Sequence, residues 1–172
     1  MSEEQNTPTP EQKEELDLYE RLAKETRKAF EKASKKSAEA LDESLAFARK
    51  EIDRAGEFSK EQLDKAEIFL KRDLEETAGD FERLGDKASE LLHPSRLGAG
   101  LLDLSTQLLN NASDALKKLA SRADSARTYH SGEITGPGTL VCKGCGKEIH
   151  LKATGHIPPC SGCAKTEFSK KY

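Results

Sequence analysis

Two pairs of cysteines have the spacing that most directly prescribes chemistry in this chain: Cys142-Lys-Gly-Cys145 and Cys160-Ser-Gly-Cys163, fourteen residues apart. A C-x₂-C turn places two sulfurs on one side of the backbone, and two such turns complete a tetrahedron of thiolates around one ion. Soft thiolates in this arrangement select zinc and define a zinc ribbon, so Cys142, Cys145, Cys160 and Cys163 are the expected ligands of one structural Zn²⁺. Gly144, Gly146 and Gly162 are expected to permit the unusual backbone angles of the two turns. A catalytic zinc would keep a coordination position open, whereas four thiolates close the shell. A thioredoxin-like dithiol would need its C-x-x-C at a helix start after a strand, and these pairs sit in glycine-rich turns. A thiolate cluster that loses zinc on oxidation, a redox sensor, stays open as an alternative.

The three histidines near the cysteines, His130, His150 and His156, are not needed as ligands and read as surface or strand-edge residues. His130, in the Tyr129-His130-Ser131-Gly132 junction, could instead help dock the ribbon on the rest of the chain. The sequence contains no glycine-rich phosphate loop, no nucleophile elbow and no histidine–carboxylate set of recognisable spacing. The many Glu and Asp read as a solvated helix face, and the chain is not expected to be an enzyme.

Around the cysteines, Ile149 and Leu151 alternate with Glu148, His150 and Lys152 as in a short strand with one buried face, and Leu140-Val141 and Phe168 supply neighbouring strand positions. A segment of this size buries too little surface to fold alone, so metal binding, worth about 10 kcal/mol or more at structural zinc sites, must supply most of its order.

The elements that carry this ribbon are helical. From about Pro10 to Ala55 there is no internal Gly or Pro, and Leu16, Tyr19, Ala23, Phe30, Ala33, Leu41, Leu45, Ala48 and Ile52 recur mostly three or four apart, which predicts one long amphipathic helix. Gly56 is placed to stop it, and Ser59-Lys-Glu-Gln62 is a capping-box pattern opening the next helix. That helix follows Leu63, Ala66, Leu70, Leu74, Thr77, Phe81, Leu84, Ala88 and Leu91, close to a coiled-coil heptad seam, and ends at His93-Pro94. A third helix is expected from about Leu97 or Leu101 to Ala126. The expected fold is therefore mainly α: long antiparallel amphipathic helices, a helical hairpin or three-helix bundle, followed by a small C-terminal β zinc ribbon. The expected division is a disordered leader over 1–12, a helical body over 13–128, a linker over 129–138 and the ribbon over 139–172.

Composition agrees with elongated helical packing. Of 172 residues, 35% are hydrophobic, 5% aromatic and 34% charged, too little apolar material for a thick globular core. No run of about 18 apolar residues could span a bilayer, and the N-terminus has acidic residues where a secretory signal would be basic and then apolar. A cytoplasmic location is the default expectation, and reduced thiols there favour metal over disulfides. From Gly138 to Tyr172 six lysines face two glutamates, a formal +4, which leaves −7 for the rest of a chain whose total is −3. Four thiolates on Zn²⁺ contribute about −2 and bring the ribbon near +2, so its basic character is only a weak pointer to nucleic acid.

The stretch Tyr129-His-Ser-Gly-Glu133, continuing through Gly136-Pro-Gly138 to Cys142, together with Gly56-Glu-Phe-Ser59 and Arg72-Asp-Leu-Glu-Glu76, resembles the YbeL-like bacterial family of zinc-ribbon-containing proteins. The resemblance spans about residues 45 to 172. It implies a helical N-terminal part, a C-terminal ribbon and Cys142, Cys145, Cys160 and Cys163 as ligands, and it brings no assigned activity. The functional expectation is a non-enzymatic interaction module in which the ribbon docks on a protein partner and the helices space or homo-oligomerise it. The alternative is a nucleic-acid- or transcription-machinery-associated ribbon. Against that alternative, the ribbon has no Arg and only Phe168 and Tyr172 as stacking aromatics.

Overall fold

The fold is that of a computed structural model, which describes residues 9–34, 37–84 and 128–171. The expected third helix and the His93-Pro94 stop lie outside these residues. Helix α1 spans Pro10–Lys32, α2 Ala38–Ala55 and α3 Lys60–Leu84. The expectation of one helix from Pro10 to Ala55 is corrected: α1 ends at Ala33, which is extended, and α2 starts anew behind Ser37. Ser37 is extended and its Oγ accepts from the Ala40 N–H at 3.2 Å, so the side chain satisfies a helix-start donor that a continuous helix would have bonded internally. The start also differs from the expected leader boundary, because Thr9 and Gln12 cap each other reciprocally and Pro10 occupies the first helical position.

The second helix boundary follows the sequence signals. Gly56 closes α2 in the left-handed conformation, φ 69°. Ser59 and Gln62 then form a capping box, the Gln62 N–H donating to Ser59 Oγ and the Ser59 N–H to Gln62 Oε1. Across this short turn α2 and α3 run antiparallel, with Arg49 bridging Asp64 and Glu67 and Lys71 reaching Asp42. Helix α1 packs against both. Leu18, Leu22 and Phe30 of α1, Leu41, Leu45 and Ile52 of α2, and Leu63, Leu70 and Leu74 of α3 make one core.

The C-terminal part is all strand and turn: β1 Tyr129–His130, β2 Ile134–Thr135, β3 Gly138–Cys142, β4 Glu148–Leu151, β5 Gly155–His156 and β6 Glu167–Lys171. One antiparallel sheet has the order β1-β6-β3-β4, and β2 pairs with β5 in a second. Tyr129, Leu140, Ile157 and Phe168 form its small core with Cys142 and Cys160. Residues 129–138, expected as a linker, thus carry β1 and β2, and Ile134 of β2 is part of the helical core.

A buried polar cluster on α3 fixes the ribbon to the helices. Asp73 is fully buried and accepts hydrogen bonds from Tyr19 of α1 at 2.7 Å, from Tyr129 at 3.1 Å, from Thr135 at 3.0 Å and from the Gly136 N–H at 2.7 Å. Lys170 of β6, its ammonium 3.9 Å from Asp73, donates to Thr135 Oγ1 and to the Gly136 carbonyl. Tyr129 also donates to Glu76. Arg72 pairs with Glu133, donates to the Ile134 carbonyl and lies over the Tyr129 ring, 3.8 Å from its centroid. Burial alone would lower the Arg72 pKa; Asp73, Tyr129 and Glu133 together raise it above its ordinary value. The reading of acidic side chains as a solvated face is therefore corrected at Asp73, Glu75 and Glu76, which are buried. A buried carboxylate is tolerated only when it is densely hydrogen-bonded, and here ribbon residues supply most of the bonds to Asp73 described above.

Candidate metal centre

The two cysteine turns are built alike, bond for bond. In the first, the Cys142 N–H donates to the Lys147 carbonyl at 2.9 Å and the Gly146 N–H to the Cys142 carbonyl at 2.9 Å; in the second, the Cys160 N–H donates to Lys165 at 3.0 Å and the Ala164 N–H to Cys160 at 2.8 Å. The Gly144 and Gly162 N–H groups each reach the Sγ two residues earlier, both at 3.4 Å. The positive φ falls at equivalent places, 73° at Gly146 and 56° at Ala164. Only Gly146 of the three turn glycines therefore takes the backbone angle expected of all three.

Gly144 and Gly162 serve a different need. A Cβ on Gly144 would lie 2.2 Å from Cδ of Lys165, and one on Gly162 would lie 3.1 Å from Cδ of Lys147. Each turn thus accepts the lysine stem that follows the other turn. The pattern Cys-x-Gly-Cys-x-Lys occurs twice in the sequence, at 142–147 and 160–165, and that repeat was the available signal for the two lysines.

The four thiols converge. Their sulfurs all lie within 4.8 Å of one another, with Cys142 to Cys163 and Cys145 to Cys160 at 3.6 Å. Four sulfurs at about 2.3 Å from a central Zn²⁺ would sit about 3.8 Å apart, so the set could hold a tetrahedral ion with little adjustment. A disulfide would require about 2.05 Å, and all four cysteines are free. Cys142 and Cys160 are buried, while Cys145 and Cys163 are exposed at the tip. In the metal-free protein the Gly162 N–H, outweighing burial, draws the Cys160 thiol down to about 6. The Lys165 N–H also lowers Cys163, but Cys145, burial, Cys142 and Cys160 together push it up to about 12.

The histidines lie elsewhere. His130 is exposed beside Glu133 and His150 is exposed beside Thr139, so neither is in the metal cluster. The docking role considered for His130 falls instead to His156, whose Nδ1 lies 2.9 Å from the Gly132 carbonyl and whose Nε2 lies 3.1 Å from the Gln12 carbonyl on α1. Both acceptors are carbonyl oxygens, so both bonds form together only when each ring nitrogen carries a proton. Glu15 stands 3.7 Å from Nε2. Among the described residues no other cluster of three or more His, Cys, Asp or Glu side chains is arranged to hold a metal, and no helix is long and apolar enough to cross a membrane.

Comparison with curated proteins and with solved structures finds no match. The family model described as a zinc-ribbon containing domain matches residues 28–172, a longer stretch than the resemblance read from the motifs. With the convergent thiols this establishes one structural zinc as the cofactor, and the chain belongs to the zinc-ribbon containing domain family.

Proposed function

We propose that Cys142, Cys145, Cys160 and Cys163 each ligate the zinc, and that the protein is a non-enzymatic interaction module whose metal-bearing tip meets a protein partner. The observation that carries this reading is the disposition of the ribbon. One end, with β2, β5 and Lys170, is seated on α1 and α3, while exposed Cys145, Cys163, Lys143, Lys147 and Lys165 crowd the other. A closed shell of four thiolates gives the metal no position for substrate, so its work is to shape this tip. The test is cross-linking in cells of the wild type against a Lys143→Glu/Lys147→Glu variant, with bound zinc measured in both. One defined protein captured by the wild type and lost from the zinc-loaded variant supports the reading; the same capture by both places the contact away from the tip.

The exposed lysines favour a second reading, binding to nucleic acid. Against it, Phe168, one of the two aromatics considered for stacking, is fully buried in the ribbon core. A salt-sensitive mobility shift of the full chain on single- or double-stranded probes would favour this reading, and no shift at low salt would remove it.

A further inference from the structure

We propose that the zinc site is linked to the helical body through the Asp73 cluster, so that metal binding latches the ribbon onto α3 and metal loss releases it. The inference rests on the reading of the four cysteines as zinc ligands. Its basis is that each cysteine turn anchors a separate strut of the docking contact.

The first strut runs through the main sheet. β3 ends in Cys142, which pairs with Phe168 of β6, and Leu140 pairs with Lys170. Lys170 then reaches Thr135 at 2.7 Å and the Gly136 carbonyl at 2.9 Å, beside Asp73. Phe168 also pairs with Tyr129, which donates to Asp73 and Glu76. The second strut runs back from Cys160. Ile157, three residues before it, exchanges backbone hydrogen bonds with Gly132 and Glu133, and Ser131 Oγ donates to the Pro158 carbonyl. Glu133 in turn holds Arg72 of α3.

Neither strut has much support of its own. The strands are two to five residues long, and the ribbon core described consists of four buried apolar side chains and two of the cysteines, with half-buried Ile149 and Leu151 against them. Without a cross-link at the tip such a sheet is too small to stay ordered. Its release would strip Asp73 of Tyr129, Thr135, Gly136 and the nearby Lys170, leaving it Tyr19 and Arg72, would strip Arg72 of Glu133, and would open both side chains to water. Loss of this matched set of charge-assisted hydrogen bonds opposes ribbon release, so docking must strengthen zinc binding by the same factor by which zinc strengthens docking.

The experiment uses the full chain and inorganic Zn²⁺. Zinc affinity is measured by competition with a chromophoric chelator for the wild type, Thr135→Val and Tyr129→Phe, each of which removes one hydroxyl from the cluster and leaves every cysteine in place. Hydrogen exchange of residues 60–76 is followed with zinc bound and after chelation. The expected result is roughly fivefold or greater weakening of zinc affinity in both variants, the lower end of ordinary coupling between sites. Faster exchange around 72–76 on chelation is expected with it. Zinc affinity within twofold of the wild type in both variants, or α3 exchange unchanged on chelation, would overturn the linkage. A wild-type chain that holds no zinc would instead sink the assignment of the ligands.

Discussion

Lys165 crosses Gly144 so closely that a methyl group there would overlap its stem, and Lys147 crosses Gly162 in the reciprocal sense. The contact joins the two halves of the metal site through side chains rather than through the ion. Gly144→Ala should therefore push the exposed Lys165 stem aside and destabilise the zinc-loaded protein by up to about 1 kcal/mol, less than overpacking a closed core costs. The strain is removed if the lysine stem is removed, so Gly144→Ala in a Lys165→Ala background should cost much less. A double-mutant cycle by chemical denaturation checks this; equal costs in both backgrounds would show that the stem swings away freely.

The second turn repeats the first except that Ala164 stands where the first has Gly146, and Ala164 carries φ 56°. An L-residue pays about 1–2 kcal/mol for this conformation, whereas a glycine loses more chain freedom on folding, by about 0.4–1 kcal/mol. The difference predicts that Ala164→Gly raises stability slightly, by up to about 1 kcal/mol, and that Gly146→Ala lowers it by a similar amount. Opposite signs for two substitutions at equivalent positions would be read directly from paired melting curves.

Zinc binding must compete with protons at the sulfurs. With Cys160 down at about 6 and Cys163 up at about 12, Cys163 of the metal-free cluster keeps its proton across the whole neutral range. Zinc requires thiolates, so binding releases protons and apparent affinity rises with pH, falling further below about pH 6 as Cys160 also protonates. Titration in two buffers of different ionisation enthalpy at pH 7 should report net proton release; none would mean the cluster is already fully deprotonated.

The convergence of the four cysteines could be read from the chain because its information is local: two C-x₂-C spacings and a repeated Cys-x-Gly-Cys-x-Lys pattern. Gly56 and the Ser59/Gln62 capping box were legible for the same reason. The break at Ser37 was not, since no Gly or Pro marks it and a single serine cap does the work. Nor was the burial of Asp73, whose sequence neighbours Arg72, Leu74, Glu75 and Glu76 look like an ordinary polar helix face. Its meaning depends on Tyr129 and Thr135, 56 and 62 residues away, and such contacts have no periodicity to betray them.

Asp73 itself gives the sharpest stability test. Asp73→Ala removes the acceptor shared by the Gly136 N–H and the Tyr19, Tyr129 and Thr135 hydroxyls, leaving Tyr129 its bond to Glu76, and removes the carboxylate 3.9 Å from buried Lys170. Breaking a buried charged set from one side typically costs about 3–5 kcal/mol, and that is the loss expected by urea denaturation of the zinc-loaded chain. Asp73→Asn should cost less. Its single carbonyl can still face the Gly136 N–H, which cannot turn away, while the amide nitrogen faces the Tyr129 and Thr135 hydroxyls, which can rotate to accept. Charge loss beside Lys170 remains in both variants. If Asn proved as damaging as Ala, the charge rather than the hydrogen-bond count would be what Asp73 contributes; if Asn matched the wild type, the acceptor geometry at Gly136 would account for nearly all of it.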